Sequence, residues 1–171
     1  MKIYLAGPSV FYSNSHEISI ELKKYCHDYG FIPLYPMDNM CVGDSPEELA
    51  KNIAISNIAM IQEADAIIAD ISCFRGTAMD VGTAFEIGMA VQRGIPVVAY
   101  TNSPRLSYAD RVACSEYKAD FNLDGFLVDK DGHTVEDFGL QENLMISAMV
   151  DAYTDEGAKK AIEMIHNILC Q

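Results

Sequence analysis

The chain has 171 residues, of which 50% are hydrophobic, so it can bury one core without help from metals or disulfides. Its formal net charge is −13 at pH 7, which removes the usual electrostatic basis for contacting a nucleic-acid backbone. We therefore expect one domain over residues 1–171, no nucleic-acid partner, and a small molecule as the ligand.

Three sequence features bear on metal binding and on the cellular compartment: the cysteines, the histidines and the apolar runs. The 5 cysteines are scattered without a C-x-x-C pair, so the sequence predicts neither a zinc site nor a disulfide framework. The 4 histidines form no metal-ligand pattern. No signal-peptide leader precedes the first strand, and no apolar run reaches the length of a membrane span. These patterns indicate a cytoplasmic protein with no membrane partner and no bound metal.

Strands and helices are predicted to alternate over the first hundred residues. Short apolar runs that end at Gly, Pro or Asp predict strands at 2–6, 31–35, 65–70 and 95–100. Runs with helical spacing predict helices at 16–29, 46–63 and 81–93, the second of them introduced by a capping box at Ser45. This alternation predicts an α/β fold with a doubly wound, mostly parallel sheet flanked by helices.

The rest of the chain has weaker patterns. Residues 101–141 are polar and rich in turns, and Asp129–Gly132 reads as a hairpin turn between short strands. We expect this segment to be mobile or to contact a partner. Residues 143–150 are apolar after a polar head, and a last helix is predicted from Thr154 to the end of the chain.

One carboxylate in the third predicted helix needs an explanation. Helical spacing over 81–93 places Glu86 on one face together with Gly82, Phe85 and Met89, and the opposite face is apolar as well. A helix that is apolar all round is expected to be buried. A buried carboxylate must be hydrogen-bonded, paired with a charge or functional, because burying it alone costs several kcal/mol.

Two aspartates flank the loop that precedes this helix. Asp80 can cap the helix or act on a ligand with Glu86, since paired carboxylates are the usual equipment for cleaving an anomeric bond. Glu86 itself can be a structural carboxylate tied to backbone or to a tyrosine. Asp70 ends the third strand and either binds a ligand or pairs with Arg75 in the turn. Neither a G-x-G-x-x-G turn nor a P-loop is present, so nicotinamide and nucleoside triphosphate sites are not predicted.

Five segments, in this order along the chain, resemble the nucleoside 2-deoxyribosyltransferases: 3–11, 36–39, 69–76, 80–88 and 139–145. The resemblance implies a flavodoxin-like fold and no cofactor. It also implies nucleoside salvage by transfer of 2-deoxyribose between nucleobases, with retention, through a covalent deoxyribosyl-glutamate. The partners it implies are 2′-deoxynucleosides and free nucleobases.

The resemblance also assigns roles to individual residues. Glu86 takes the position of the nucleophile, Tyr4 that of the tyrosine which orients it, and Asp80 that of the carboxylate beside the sugar hydroxyls. Asn143 and Met145 match residues that reach the 5′-hydroxyl end of the substrate from a neighbouring subunit, so a homo-oligomer is expected. The further residues expected to contact substrate, most of them around the base, are Gly7, Pro8, Phe11, Asp38, Asn39, Asn57, Asp70, Phe74, Gly76 and Gly82.

Asn57 departs from the pattern of the family. Some relatives carry an aspartate at this position, and if that aspartate protonates the leaving base, Asn57 can offer only hydrogen bonds. The proton must then come from elsewhere, from Asp70 or from water.

Two other functions fit the same residues. The first is hydrolysis of deoxynucleosides or their 5′-monophosphates by a glycosidase of the same fold, although the turn at Gly7 and Pro8 offers no cation for a phosphate. The second is a non-catalytic nucleotide-sensing module in which Asp80 and Glu86 would be structural. Release of free deoxyribose would indicate the first, and absence of turnover the second.

Overall fold

The computed structural model describes residues 1–103 and 106–170 and has a parallel sheet at its centre. In chain order the strands are β1 (Lys2–Ala6), β2 (Ile32–Leu34), β3 (Ala66–Asp70), β4 (Val97–Tyr100), β5 (Asp120–Phe121), β6 (Leu127–Val128) and β7 (Ala152–Thr154). Among the described residues, the central sheet has the order β2-β1-β3-β4-β7, and all of its neighbouring strands are parallel. This is the predicted doubly wound sheet, with a flavodoxin-like strand order.

Helices cover both faces of the sheet. They are α1 (Ser15–Asp28), α2 (Pro46–Glu63), α3 (Val81–Arg93), α4 (Tyr108–Ala113), α5 (Leu144–Ser147) and α6 (Ala158–Leu169). The predicted cap of α2 is present, because Ser45 Oγ accepts the Glu48 N–H at 3.2 Å. Gly94 ends α3 with φ 69, a left-handed conformation that glycine adopts without strain. No helix within 1–103 or 106–170 is long and apolar enough to cross a membrane.

All four predicted strands are present, but the prediction of a last helix from Thr154 is wrong. Ala152–Thr154 is a fifth strand of the sheet, parallel to β4, and α6 begins only at Ala158. A three-residue strand is too short to show an alternating pattern, so its apolar residues read as the start of the amphipathic helix that follows. Elsewhere, the predicted strand and helix ends differ from the structure by one or two residues.

Alternate residues of the strands build two separate cores, one on each face of the sheet. On β1, Ile3 and Leu5 pack into the core that α1 and α6 cover, whereas Tyr4 and Ala6 pack into the core under α2 and α3. Full burial of a side chain as large as Ile3 or Leu5 contributes roughly 1.5–3 kcal/mol to folding. This alternation determines which side chain of β1 can reach α3, and that side chain is Tyr4.

The segment between β4 and α5 has a small core of its own, built from α4 and the antiparallel pair β5 and β6. The predicted turn at Asp129–Gly132 is present, with the Gly132 N–H donating to the Asp129 carbonyl at 3.0 Å. One side of this turn is β6, but the other is a single bridge at Thr134 rather than a second strand. Residues 104 and 105 of this segment lie outside the described residues.

Candidate active site

A buried tyrosine and a glutamate meet where β1 packs against α3. The Tyr4 ring is fully buried, and its hydroxyl donates a hydrogen bond of 2.6 Å to Glu86 Oε1. Burial, the charge of Glu86 and this hydrogen bond all raise the pKa of Tyr4, so the phenol stays protonated and keeps donating. The predicted contact between Tyr4 and Glu86 therefore exists, and one oxygen of the carboxylate is held in place.

The surroundings of Glu86 raise the pKa of its carboxyl group towards neutral pH. Burial, which disfavours the charged form, raises the pKa of Glu86 to about 7. The hydrogen bond from Tyr4 lowers this pKa, and the negative charge of Asp80 raises it. A carboxylate with this pKa is poorly solvated yet still partly ionised at neutral pH.

Asp80 precedes α3 and caps it. Its Oδ2 accepts the Thr83 N–H at 2.9 Å and the Thr83 hydroxyl at 3.1 Å. The capping function proposed from the sequence is therefore present. Because the cap lies ahead of the first helical residue, Asp80 stands near enough to Glu86 to affect its pKa, although the two residues do not share a helix face. The N-terminal end of α3 therefore carries both a helix cap and a pair of carboxylates, Asp80 and Glu86, that interact electrostatically.

The cavity beside Glu86 has an apolar lining. It measures about 170 Å³ and lies between α2 and α3, where the predicted face of α3 forms one wall. The other lining residues all belong to α2. The lining residues are Ala54, Asn57, Ile58, Ile61, Gly82, Phe85, Glu86 and Met89.

The expectation that α3 is buried all round is wrong for the single chain. Phe85 has 64% of its surface exposed, and Val81, at the start of the helix, has 84% exposed. A sequence pattern shows that a face is apolar, but it does not show whether the same chain covers it. The Glu86 face therefore borders an open, apolar cavity.

Asn57 has an unsatisfied oxygen in this cavity. Its Oδ1 is buried and has no hydrogen-bond partner among residues 1–103 and 106–170. An unpaired buried acceptor costs about 1–3 kcal/mol, which a ligand with an N–H group can recover. Asn57 and Glu86 thus line the same cavity.

An aromatic cluster lies in the loops that follow β1 and β3. A 3₁₀ turn at Pro8–Phe11 follows β1, and the Phe11 ring stacks on Phe74, with centroids 5.3 Å apart. The Arg75 guanidinium lies 4.7 Å from the centroid of the Phe74 ring, which is within cation–π distance. Phe11 is 57% exposed, so it can still accept a flat ligand.

The nucleoside 2-deoxyribosyltransferase family model matches residues 3–145. The chain belongs to this family.

Two solved structures and one curated sequence extend the comparison. The 2-desoxiribosyltransferase from Leishmania mexicana is 33% identical, with a TM-score of 0.74 and 97% of each chain covered. An uncharacterized protein of Schizosaccharomyces pombe is 30% identical over 165 residues, which is 86% of this chain and 76% of that protein. The Clostridium botulinum CMP N-glycosidase BcmB shares the fold at 15% identity, with a TM-score of 0.50 and 96% and 98% of the two chains covered. These findings identify a deoxyribosyltransferase-type enzyme whose family acts on nucleosides and nucleobases.

Gly7 and Asp70 lie against each other at the ends of β1 and β3. A Cβ atom on Gly7 would lie 2.8 Å from Asp70 Cβ, so a larger residue at this point of the family motif would displace the strand end. Asp70 is 6% exposed, and its Oδ1 accepts the Ser72 N–H at 2.9 Å. Its side chain lines a cavity on the α1 side of the sheet rather than the Glu86 cavity. A contact between Asp70 and the base stays a prediction.

The other predicted base-pocket residues lie in the loops at the same edge of the sheet. Asp38 forms an ion pair with Lys23, and Asn39 Nδ2 donates to Ser56 Oγ at 2.8 Å. Gly76 has open space around it, in the loop before Asp80. In the described residues none of the three lines the Glu86 cavity, so their contact with a base stays a prediction.

In the described residues, Asn143 and Met145 do not line the Glu86 cavity. Asn143 caps α5, its Nδ2 donates to Glu136 Oε1 at 2.7 Å, and it lines a different cavity near Tyr108. Met145 is 67% exposed. Their contribution to the site of a neighbouring subunit stays a prediction.

Sequence reasoning missed the residues that support the loop before Asp80. Glu142 is 3% exposed, and its Oε1 accepts the Met79 N–H at 3.1 Å and the Arg111 guanidinium at 2.6 Å. Arg111 also donates to the Thr77 carbonyl at 2.9 Å. These contacts join residues 31 to 63 positions apart, and no local pattern signals such a pairing.

The raised pKa of Glu86 predicts a pH-dependent stability difference. The folded chain holds this proton up to about pH 7, whereas the unfolded chain releases it near pH 4.5. Between these values the folded state binds more protons, so the free energy of unfolding falls as pH rises, by up to about 3 kcal/mol. Glu86→Gln cannot ionise and should lose less stability than the wild type between pH 4.5 and pH 8. Urea unfolding at both pH values measures the difference.

A matched control is available for this measurement. Glu63 is an exposed glutamate paired with Lys2 Nζ, and Glu63→Gln should keep the wild-type change in stability between the two pH values. Equal changes in the wild type and in Glu86→Gln would contradict the raised pKa.

Proposed function

We propose that this protein transfers 2-deoxyribose from one nucleobase to another, with retention, through a covalent deoxyribosyl-Glu86 intermediate. The observation that carries the proposal is the hydrogen bond between Tyr4 and Glu86 at the wall of an open, mostly apolar cavity. The proposed role is nucleoside salvage in the cytoplasm.

The first half-reaction forms an ester on Glu86. Because Oε1 accepts the Tyr4 hydroxyl, Oε2 is the oxygen that attacks the anomeric carbon. The bond between that carbon and the donor base breaks, and the electron pair leaves with the base, which takes up a proton. A carboxylate with a pKa of about 7 is a stronger nucleophile than a solvated glutamate, because burial has removed part of its hydration.

The second half-reaction reverses the first with a different base. A nitrogen of the acceptor base attacks the same carbon from the face that the donor base left, and Glu86 departs as a carboxylate. Two inversions at one carbon give net retention. Water would attack the same ester, so transfer requires that the site exclude water. In this proposal the apolar wall of Phe85 and Met89 excludes water once a second copy of the chain covers it.

Asp80 and Asn57 hold the two ends of the substrate in this proposal. Asp80 Oδ2 is occupied by Thr83, which leaves Oδ1 to accept a hydrogen bond from a sugar hydroxyl. Asn57 contacts the base through its unpaired buried oxygen. An amide cannot protonate the leaving base, and Asp70 lines the other cavity, so we assign this proton to water.

A homo-oligomer completes the proposed site. The exposed apolar residues of α3, Val81 and Phe85, lie beside the Glu86 cavity and are suited to contact with a second copy of the chain. Asn143 and Met145 are not among the residues that line the Glu86 cavity of their own chain. We therefore assign them to the 5′-hydroxyl end of the substrate in a neighbouring subunit's site.

A base-exchange assay tests the proposed function. Protein incubated with thymidine or deoxyinosine and free adenine should produce deoxyadenosine without added phosphate. The hydrolase is the second candidate, and the exposure of Phe85 favours it, because an uncovered cavity admits water. Free deoxyribose as the main product would identify the hydrolase, and absence of turnover with any deoxynucleoside would contradict both enzymes.

A further inference from the structure

A buried ion pair lies behind the loop that ends at Asp80. The Arg111 guanidinium donates to Glu142 Oε1 at 2.6 Å, and the side chains of Arg111 and Glu142 are 16% and 2% exposed. Within residues 1–103 and 106–170, neither of the two lines the Glu86 cavity. Any effect of the pair on the reaction must therefore act through other residues.

The pair holds the backbone of this loop at two points. Glu142 Oε1 also accepts the N–H of Met79, the residue before the N-cap of α3, at 3.1 Å. Arg111 Nε donates to the Thr77 carbonyl at 2.9 Å, and its Nη1 donates to the Leu106 carbonyl at 3.0 Å. The ion pair thus fastens the last residues before α3 to α4, the helix that carries Arg111.

The backbone of Glu142 is itself held in place. Its N–H donates to Ser147 Oγ at 2.8 Å, and the Ser147 hydroxyl donates to the Glu142 carbonyl at 3.1 Å. Ser147 belongs to α5, which packs against α3. The carboxylate that holds Met79 is therefore anchored to α5, next to the helix that carries Glu86.

Stability alone does not account for a charged pair at this place. Taking two charges out of water costs about as much as their attraction returns, so apolar side chains of similar size usually stabilise a core as well or better. An apolar pair could neither accept the Met79 N–H nor donate to the Thr77 carbonyl. What the ion pair adds is the placement of the backbone that leads into Asp80.

We propose that Glu142 is a positioning residue for Asp80. By accepting the Met79 N–H, it fixes the residue before the cap and with it the direction of the Asp80 carboxylate. The inference rests on the proposed function, in which Asp80 Oδ1 accepts a sugar hydroxyl. Without this bond the loop before α3 has more conformations, and Asp80 spends less time in the direction that the substrate needs.

Two substitutions of Glu142 test the role of the hydrogen bond to Met79. Glu142→Leu removes the acceptor and should lower kcat/KM for deoxynucleoside turnover about 10-fold to 100-fold, because a small misplacement of a group in the site has effects of this order. Glu142→Gln keeps an oxygen that can accept the Met79 N–H and should stay within about threefold of the wild type. Wild-type kcat/KM in Glu142→Leu would overturn the proposal, and so would equal losses in the two variants.

A double-mutant cycle shows whether Glu142 acts through Asp80. On an Asp80→Asn background, the further change Glu142→Leu should lower kcat/KM by less than about threefold, because placement no longer matters once the placed carboxylate is lost. If the two single losses instead multiply in the double variant, Glu142 acts independently of Asp80 and the positioning role is overturned.

The pH profile is a second readout, and a general loss of stability does not move it. Besides burial, Tyr4 and Asp80 shift the pKa of Glu86, and the charge of Asp80 raises it. An Asp80 carboxylate that turns away raises this pKa less, so the acid limb of kcat/KM should lie at lower pH in Glu142→Leu. An acid limb at the wild-type position would contradict the positioning role.

Arg93→Met is the matched control for these measurements. Arg93 also holds two backbone carbonyls, those of Ile61 and Ala64, but it does so at the opposite end of α3. Its acid limb should equal that of the wild type. If Glu142→Leu does not fold, the double variant with Arg111→Met leaves no unpaired buried charge, and it should show the same losses.

Amide hydrogen exchange separates this inference from the proposed function. The Thr83 N–H is held by Asp80 Oδ2, whereas Ile165 lies in the core on the other face of the sheet. The exchange rate of Thr83 relative to that of Ile165 should rise at least about tenfold in Glu142→Leu. This rise in a protein without base exchange would contradict the proposed function and support the positioning of Asp80 by Glu142. An unchanged ratio would overturn the positioning role, whatever the base-exchange assay shows.

Discussion

Replacing Glu86 with glutamine should lower the rate of base exchange by at least about 10⁴-fold, because glutamine keeps the shape of the side chain but cannot form the deoxyribosyl ester. The Tyr4 hydroxyl can still donate to the glutamine oxygen, so the fold should be retained. Mass spectrometry of the intact protein mixed with a deoxynucleoside should show a gain of one deoxyribosyl group in the wild type and none in the variant.

The control for this variant is Glu63→Gln, an exposed glutamate on α2 that pairs with Lys2. Its turnover and its adduct should equal those of the wild type. Base exchange within tenfold of the wild-type rate in Glu86→Gln would remove Glu86 from the mechanism, and a persisting adduct would place the ester on another residue.

Tyr4→Phe should reduce base exchange at pH 7 about 10-fold to 100-fold, and it should also change the pH dependence. The Tyr4 hydrogen bond lowers the pKa of Glu86, so its loss moves this pKa above its present value of about 7. Because the proposed reaction needs the ionised carboxylate, the rate should rise with pH through this pKa. The acid limb of the kcat/KM profile should therefore move to higher pH in the variant.

Tyr35→Phe is the matched control, since Tyr35 is equally buried but belongs to the core on the other face, where its hydroxyl pairs with Ser9. It should leave the position of the acid limb unchanged. A Tyr4→Phe variant with a wild-type acid limb would show that Tyr4 has only a packing role.

The parts of the fold that the sequence predicts are those whose patterns are long enough to be distinctive. Eighteen residues of helical spacing behind a capping box define α2, and five consecutive buried residues define β3. The strand β7 has three residues, and its place beside β4 depends on hydrogen bonds to a strand about fifty residues away. No local pattern carries that information, so the fifth strand was missed.

The same distinction applies to the site. Helical geometry correctly groups Glu86 with Gly82, Phe85 and Met89, because spacing along one helix fixes which residues share a face. It does not show that this face is open in the single chain. Successive side chains of β3 also point to opposite faces of the sheet. Ala69 packs under α2 and α3, whereas Asp70 lines the cavity on the α1 side of the sheet.

Asp80 combines two tasks in one carboxylate, and this limits how the protein can change. Loss of the cap costs α3 about 0.5–2 kcal/mol, while the negative charge of the same group adds to the burial that raises the pKa of Glu86. A serine here would still cap the helix but would remove the charge, so the helix would survive and the acidity of Glu86 would rise. Random mutagenesis scored only for soluble protein would accept that replacement. Selection for base exchange would reject it, because the proposed mechanism also needs the Asp80 carboxylate to hold a sugar hydroxyl.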